Sequence, residues 1–418
     1  MYPPKGNRDL IKEINRSLVL NLIKSQGPIS RKDLASLSNL SPATISGITA
    51  DFIASDLVHE MGEGESTGGR RPILLRLNHQ AGFVVGVKLM ERTIISALTD
   101  LDAQVLYHRV TELPVAQLLS DGPVKPEVVL PVLIQAIEQT IVESAVVRNR
   151  VLGIGIGLAG LIDNQRKTCL YSPFFGWRNI EVAEPLSTHF NLPVYLENDV
   201  NTLTIAEKWF GYGHDIDHFL VITVGRGIGV GIVVNGQFYR GAIGGAGEFG
   251  HITLASDGPL CACGKRGCLE AMASDPAVVR QAKAAIALGE RTTLAKMDPL
   301  TIESIVTAAE KGDKLARKLL ADSGHWLGIG VATLINILNP QLVIVGGEGV
   351  LAGAWRFDPM RQAIKAHTFN GLADDLDIII EPSGDEAWAR GAACVVLGEL
   401  FKSPVDKREE IRLRAVRI

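Results

Sequence analysis

Cys261-x-Cys263-x4-Cys268 follows His251 in the chain, so one imidazole and three potential thiolates fall close together. That is the Cys3His donor set of a closed tetrahedral zinc site, which leaves no position for water and is structural rather than catalytic. Gly264 and Gly267 let the backbone turn tightly around an ion. Three ordinary buried cysteines are the plainer alternative. Cys169 and Cys394 stand alone, and an odd total of 5 cysteines is no disulfide framework. Glu248 and Glu270 flank the cluster, and a metal would tie these two carboxylates together.

A second group of acceptors is Asn198 and Asp199, in Glu197-Asn198-Asp199-Val200-Asn201 directly after strand-like Val194-Tyr195-Leu196. That places them at the carboxyl end of a strand, where open α/β sheets bind ligands. Asp, Glu and Asn accept hydroxyl protons, so several of them with only 6% aromatic residues in the chain suit a small sugar. Each taken singly reads equally well as a cap or a solvated turn. Four glycine-rich stretches, at Gly153-x-Gly155-x-Gly157, Gly225 to Gly231, Gly244 to Gly247 and Gly346 to Gly349, either cradle phosphate or permit close packing. None matches a Walker or dinucleotide fingerprint.

The elements that must position these groups fall into three parts. Leu10, Ile14, Leu18 and Leu22 recur four apart and give one stripe of an amphipathic helix, which Gly27-Pro28 ends. Ser30 can cap a short helix carrying Leu34, Ala35 and Leu37. Ser41-Pro42 is an N-cap followed by proline at the first helical position. In the helix that starts there, Ile45, Ile48, Phe52 and Ile53 face inward and Ala43, Thr44, Ser46, Gly47 and Ala50 form a flat outer face. A polar loop from His59 to Gly69 and the strand-like Ile73 to Leu77 complete a winged helix-turn-helix. Its second helix can enter a major groove with Ala43, Thr44 and Ser46, while Ser41 and the helix N-terminus can bind phosphate and Arg31 is a further candidate for DNA contact. Arg70 and Arg71 can reach along the backbone or into the minor groove. A helical protein-interaction module is the alternative, since residues 1–80 carry a net charge of only +2.

From residue 81 strands alternate with helices in two runs, Phe83 to Ile156 and Phe219 to Val345, which is α/β organisation in two lobes with a cleft between them. The chain has 418 residues, enough for two to four domains. At 46% hydrophobic and 21% charged residues it is too apolar for a disordered chain. Val151 to Ile162 and Trp326 to Leu338, the longest apolar stretches, stop well short of the roughly 18 residues a membrane span needs. With no apolar core behind the charged N-terminus, a cytoplasmic protein is expected.

Taken together these strings resemble the ROK family (repressors, open reading frames and kinases), in its form with a winged helix-turn-helix in front. The resemblance rests on Gly27-Pro28-Ile29-Ser30-Arg31, Leu40-Ser41-Pro42-Ala43-Thr44, Gly68-Gly69-Arg70-Arg71-Pro72, Glu197-Asn198-Asp199-x-Asn201, Gly247-Glu248-Phe249-Gly250-His251, the cysteine cluster through Glu270, and Leu338-Asn339-Pro340. It covers roughly residues 8 to 400. It implies an actin-like, hexokinase-type (ribonuclease H-like) two-lobed body behind the head. The chain then divides into residues 1–80 (head), 81–197 (first lobe, completed by a C-terminal helix at 386–418) and 198–385 (second lobe with the zinc site). It further implies that Asn198, Asp199, Glu248, His251 and Glu270 contact a sugar, and that His251, Cys261, Cys263 and Cys268 bind zinc. One ring nitrogen of His251 would bind the metal, leaving the other for a hydroxyl or a carboxylate.

The family's sugar kinases use the aspartate matching Asp199 as general base, and their first phosphate loop resembles Asp-x-Gly-Gly-Thr. The aligned segment here is Lys88-Leu89-Met90-Glu91-Arg92, and Arg226 replaces threonine between Gly225 and Gly227 in the second loop. Phosphates would meet bulk and negative charge. The resemblance therefore implies a sugar-responsive repressor, not an enzyme, with operator DNA and a sugar as partners and a homodimer or homotetramer as the assembly. An ATP-dependent sugar kinase carrying a DNA-binding domain, and a repressor titrated by a protein partner, are the alternatives.

Overall fold

The computed structural model describes residues 8–63, 71–114, 123–382 and 384–402. The head is built from helices α1 (Arg8–Gln26), α2 (Arg31–Ser38) and α3 (Pro42–Ala54) and a three-stranded sheet of β1 (Ile29–Ser30), β2 (Val58–Glu63) and β3 (Ile73–Leu77), in the order β1-β3-β2. Ser30 and Ser41 cap α2 and α3, accepting from the backbone N–H of Asp33 and of Thr44 at 3.1 Å each. Two expectations change here. The first half of the polar loop is strand β2, paired antiparallel with β3 from Val58↔Leu77 to Glu63↔Ile73; residues 59–62 are all exposed, so no alternation announced it. In α1 the deeply buried line is Val19 and Ile23, while Leu18 is 39% exposed. The helix is rotated because it packs on α2, α3, β3 and also the body's last helix.

The first lobe is a five-stranded sheet of β4 (Phe83–Leu89), β5 (Thr93–Thr99), β6 (Val105–Glu112), β7 (Val151–Leu158) and β11 (Val194–Asn198), ordered β11-β7-β4-β5-β6. Its parallel half is β11, β7 and β4, and β5 and β6 add antiparallel. On one face lies α4 (Pro126–Glu143), and on the other α12 (Asp385–Phe401). Residues 403–418 of the expected C-terminal helix lie outside the described residues. A small sheet, β10-β9-β8 (Trp177–Glu181, Thr168–Ser172, Leu161–Ile162), and α5 (Ala183–Phe190) complete this part.

The helix α12 lies almost on the strands' backbone. A Cβ built on Gly155, in the middle of β7, would sit 1.9 Å from the Ala392 carbonyl oxygen, and one on Gly86 would sit as close to that of Ala389. The first glycine-rich stretch is thus a packing device, since any side chain would lift the helix off.

The second lobe repeats the plan. Its sheet runs β14-β13-β12-β15-β16 (Gln237–Phe238, Ile228–Val234, Phe219–Val224, Leu342–Gly346, Asp377–Ile380), with β12, β15 and β16 parallel. Helices α7 (Leu269–Ala273), α8 (Asp275–Ala287), α9 (Ile302–Glu310), α10 (Lys314–Leu338) and α11 (Ala354–His367) belong to it. Between the lobes runs α6 (Asp199–Phe210), which touches α12, β11, β12 and β13. Among the described residues no helix is long and apolar enough to cross a membrane.

Candidate functional site

Asn198, Asp199, Glu248, His251 and Glu270 line one cavity of about 960 Å³ between the lobes, at the upper end of the range for ligand pockets. Asn198 ends β11 and caps α6, its side chain accepting from the Asn201 N–H (3.3 Å) and donating to the Gly160 carbonyl (3.0 Å). Asp199 is the first residue of α6, so the positive end of the helix dipole favours its carboxylate. Burial pushes its carboxyl above the usual range, and the facing Lys88 charge opposes this. Glu270 is the second residue of α7, two after Cys268, and accepts from the Ile228 N–H at 3.1 Å.

The metal donors are equally close. Ligand atoms of His251, Cys261, Cys263 and Cys268 all lie within 4.8 Å of one another. Cys263 Sγ is 3.6 Å from Cys268 Sγ, and Cys261 Sγ is 3.6 Å from His251 Nδ1. Such separations suit four donors around one tetrahedral ion with metal–sulfur bonds of about 2.3 Å. The other imidazole nitrogen, Nε2, faces Glu248 Oε2 at 3.9 Å. One ring thus joins the metal donors to a cavity carboxylate. Gly247, at φ 97°, passes so near the Val230 carbonyl that only glycine fits, which seats Glu248 at the cavity wall.

Three interactions at this site were not read from the sequence. Glu197 is fully buried, bridged by Arg166 at 3.2 Å and by Arg240 at 2.9 Å, and it accepts from the Asn198 N–H and the Asn201 side chain. Arg240 comes from the second lobe, so this carboxylate anchors Asn198 and joins the lobes. Lys88, 5% exposed, places its ammonium 3.4 Å from the Trp388 ring centroid. Glu91 and Arg226, the two departures in the phosphate loops, form an ion pair across the cleft, and the Arg226 guanidinium lies 4.4 Å from the Phe174 ring centroid. Nothing in the sequence joined these partners, which stand 135 and 52 residues apart.

In the head, Ala43, Ser46, Gly47 and Ala50 of α3 are exposed and Thr44 is half-buried, giving the flat face expected. Ser41 Oγ meets Thr44 Oγ1 at 2.8 Å as well as capping the helix. Arg31 is held inside the head, donating to Thr49 Oγ1 (3.1 Å) and pairing with Glu60 on β2 (2.7 Å), so it braces α3 against the wing. Arg71 is exposed at the foot of β3, and Arg70 lies outside the described residues.

Comparison with known proteins agrees with this geometry. The ROK family model matches residues 84–399. A xylose repressor of Caldicellulosiruptor bescii is 32% identical over 96% of this chain and 99% of its own length. The crystal structure of a ROK family transcriptional regulator, homologous to the E. coli MLC protein, superposes with a TM-score of 0.82 at 32% identity over 94% of this chain and 97% of that one. A ROK family glucokinase from Streptomyces griseus in complex with glucose and AMPPNP gives 0.65 at 30% identity, over 75% of this chain and 99% of that one. Regulators match head and body together. The chain belongs to the ROK family, among its transcriptional repressors.

Proposed function

We propose that this chain represses carbohydrate-metabolism genes by binding operator DNA, and that an unphosphorylated sugar in the interlobe cavity controls that binding. The carrying observation is that Asn198, Asp199, Glu248 and Glu270 converge on one cavity whose phosphate side is occupied by the Glu91–Arg226 pair. Asp199 accepts a sugar hydroxyl at the N-terminus of α6 and does not deprotonate it, because no phosphoryl donor has a place in line. Glu248, held beside His251, takes a second hydroxyl. His251, Cys261, Cys263 and Cys268 would hold zinc, which supplies a cross-link between the loop of Glu248 and the helix of Glu270.

On the DNA side, α3 presents Ala43, Thr44 and Ser46 to base edges, Ser41 and the helix N-terminus meet phosphate, and Arg70 and Arg71 follow the backbone or minor groove. Arg31 contacts phosphate only by exchanging Glu60 for it. Two heads in a homodimer read a two-fold operator, and lobe closure around sugar changes their spacing. Arg71→Ala should weaken binding about equally at every DNA sequence and lower the salt slope by about one, read from titrations at several salt concentrations.

The test is fluorescence anisotropy of the purified protein on DNA from its own upstream region, without ATP, with unphosphorylated sugars beginning with D-xylose, since a full-length relative is a xylose repressor. Release of DNA by one sugar establishes the reading. Sugar-dependent ADP formation, abolished by Asp199→Asn, would replace it with a kinase.

A further inference from the structure

The two ends of α6 stand in different places. Its first turn carries Asp199 in the cavity, and about 15 Å away its last turn carries Trp209 and Phe210. There it meets the head. The ammonium of Lys24, in the last turn of α1, lies 3.0 Å from the Trp209 ring centroid, 4.6 Å from that of Phe401 at the end of α12, and 5.9 Å from that of Phe210. One turn earlier on the same helix, Asn21 Nδ2 donates to the Phe401 carbonyl at 2.9 Å.

Lysine usually keeps its head in water while burying its stem. Burial here pulls Lys24 down to about 7, so the ring faces replace only part of the solvation that water would give its charged form. The attraction depends on where the rings stand. Those rings ride on elements clamped to both lobes. A Cβ on Gly231 of β13 would sit 1.8 Å from Thr204 Oγ1 of α6, and one on Gly391 of α12 would sit 2.5 Å from the Thr202 carbonyl oxygen. A helix packed so tightly follows the lobes as a rigid body.

We propose that Lys24, seated among Trp209, Phe401 and Phe210, is the joint through which sugar occupancy of the cavity reaches the DNA-binding head. Closure of the lobes on a sugar moves α6 by its first turn, shifts the rings at its last turn, and thereby re-sets α1 and the angle of α3. The inference rests on the sugar-responsive repressor reading, and its test separates the two.

DNA affinity is measured by anisotropy with and without saturating sugar, and sugar affinity by calorimetry, for the full-length wild type, Lys24→Met, Lys24→Arg and Trp209→Leu. The wild type should lose about tenfold or more in DNA affinity when D-xylose, or another sugar of the panel that binds, saturates it. Lys24→Met should bind sugar and DNA each within about twofold of wild type while the sugar-induced loss falls below about twofold. Lys24→Arg, which keeps a cation among the rings, should retain the response. A full response in Lys24→Met overturns this inference and leaves the repressor reading intact. A wild type that binds DNA and responds to no sugar overturns both. If Lys24→Met fails to fold by circular dichroism, Trp209→Leu carries the same two outcomes.

Discussion

Glu91 and Arg226 sit in the two hairpins that would have to approach nucleotide phosphate, and they neutralise each other there. A phosphate would meet the Glu91 carboxylate or would have to take Arg226 from it, and bulky Met90 stands where backbone approach needs glycine. The pair is partly solvated, with the Arg226 side chain 52% and that of Glu91 28% exposed, so the interaction itself is worth about 1 kcal/mol or less. Glu91→Arg should therefore weaken sugar binding by no more than about fivefold, and the double exchange Glu91→Arg with Arg226→Glu should recover most of the loss. Calorimetric sugar titrations check both, and an exchange no better than the single variant removes the pair's role. At the metal donors, Cys263→Ser leaves three ligands and an open position. Elemental analysis should find about one zinc per wild-type chain and little in the variant. The variant should also lose its sugar response while α3 still binds DNA, because a metal there would fix Glu248 and Glu270 at the cavity, away from α3.

Secondary-structure ends carry their own chemistry, most clearly at α10. Asp313 caps that helix, accepting from the Ala316 N–H at 3.0 Å, and it also accepts from the N–H (2.7 Å) and hydroxyls of Thr293 and Thr292. Partial burial works against the charge, but these donors hold the carboxyl down at about 2, against an ordinary value of 3.8. A depressed folded-state pKa means the cap contributes fully above the unfolded value and is lost as pH falls from about 4 to about 2. Asp313→Ala should cost about 1 to 2 kcal/mol by urea unfolding at neutral pH, and the difference from wild type should shrink through that acid range. A difference independent of pH would sink the account. Such caps were legible in the sequence, as Ser30 and Ser41 were, because cap and donor lie three residues apart. The metal donors and the Asn198-Asp199 corner were legible for the same reason: short spacing fixes geometry locally. Strand β2 was not, since its polar residues are held by pairing with β3 rather than by an apolar face. Glu197 with Arg240, and Lys24 with Trp209, were beyond reach because tertiary folding alone joins them.

For the molecule as a whole, the decisive quantity is a coupling free energy between cavity and head. The head is not a bead on a string: Val19, Ile23, Leu34 and Phe52 share one buried cluster with Val84, Ala393, Val396 and Phe401 of the body. Ile205 and Ala206 of α6 belong to the same cluster, so a lobe reorientation that moves α6 reaches the head's packing, and a ligand with different affinity for the two lobe arrangements would then shift the population of head arrangements. Thermodynamic linkage makes this reciprocal. Whatever factor sugar takes from operator affinity, operator DNA must take from sugar affinity, about 5- to 150-fold for a coupling of ordinary size. The measurement is calorimetric sugar titration of the protein alone and of the protein saturated with operator duplex, at one salt concentration because the DNA term depends steeply on salt. Equal sugar affinity in the two titrations would mean that the cavity and the head do not communicate, and sugar control of repression would fall with it. A matching factor would identify the two-lobed body as the regulatory device, converting sugar binding in the cleft into displacement of a DNA-binding head.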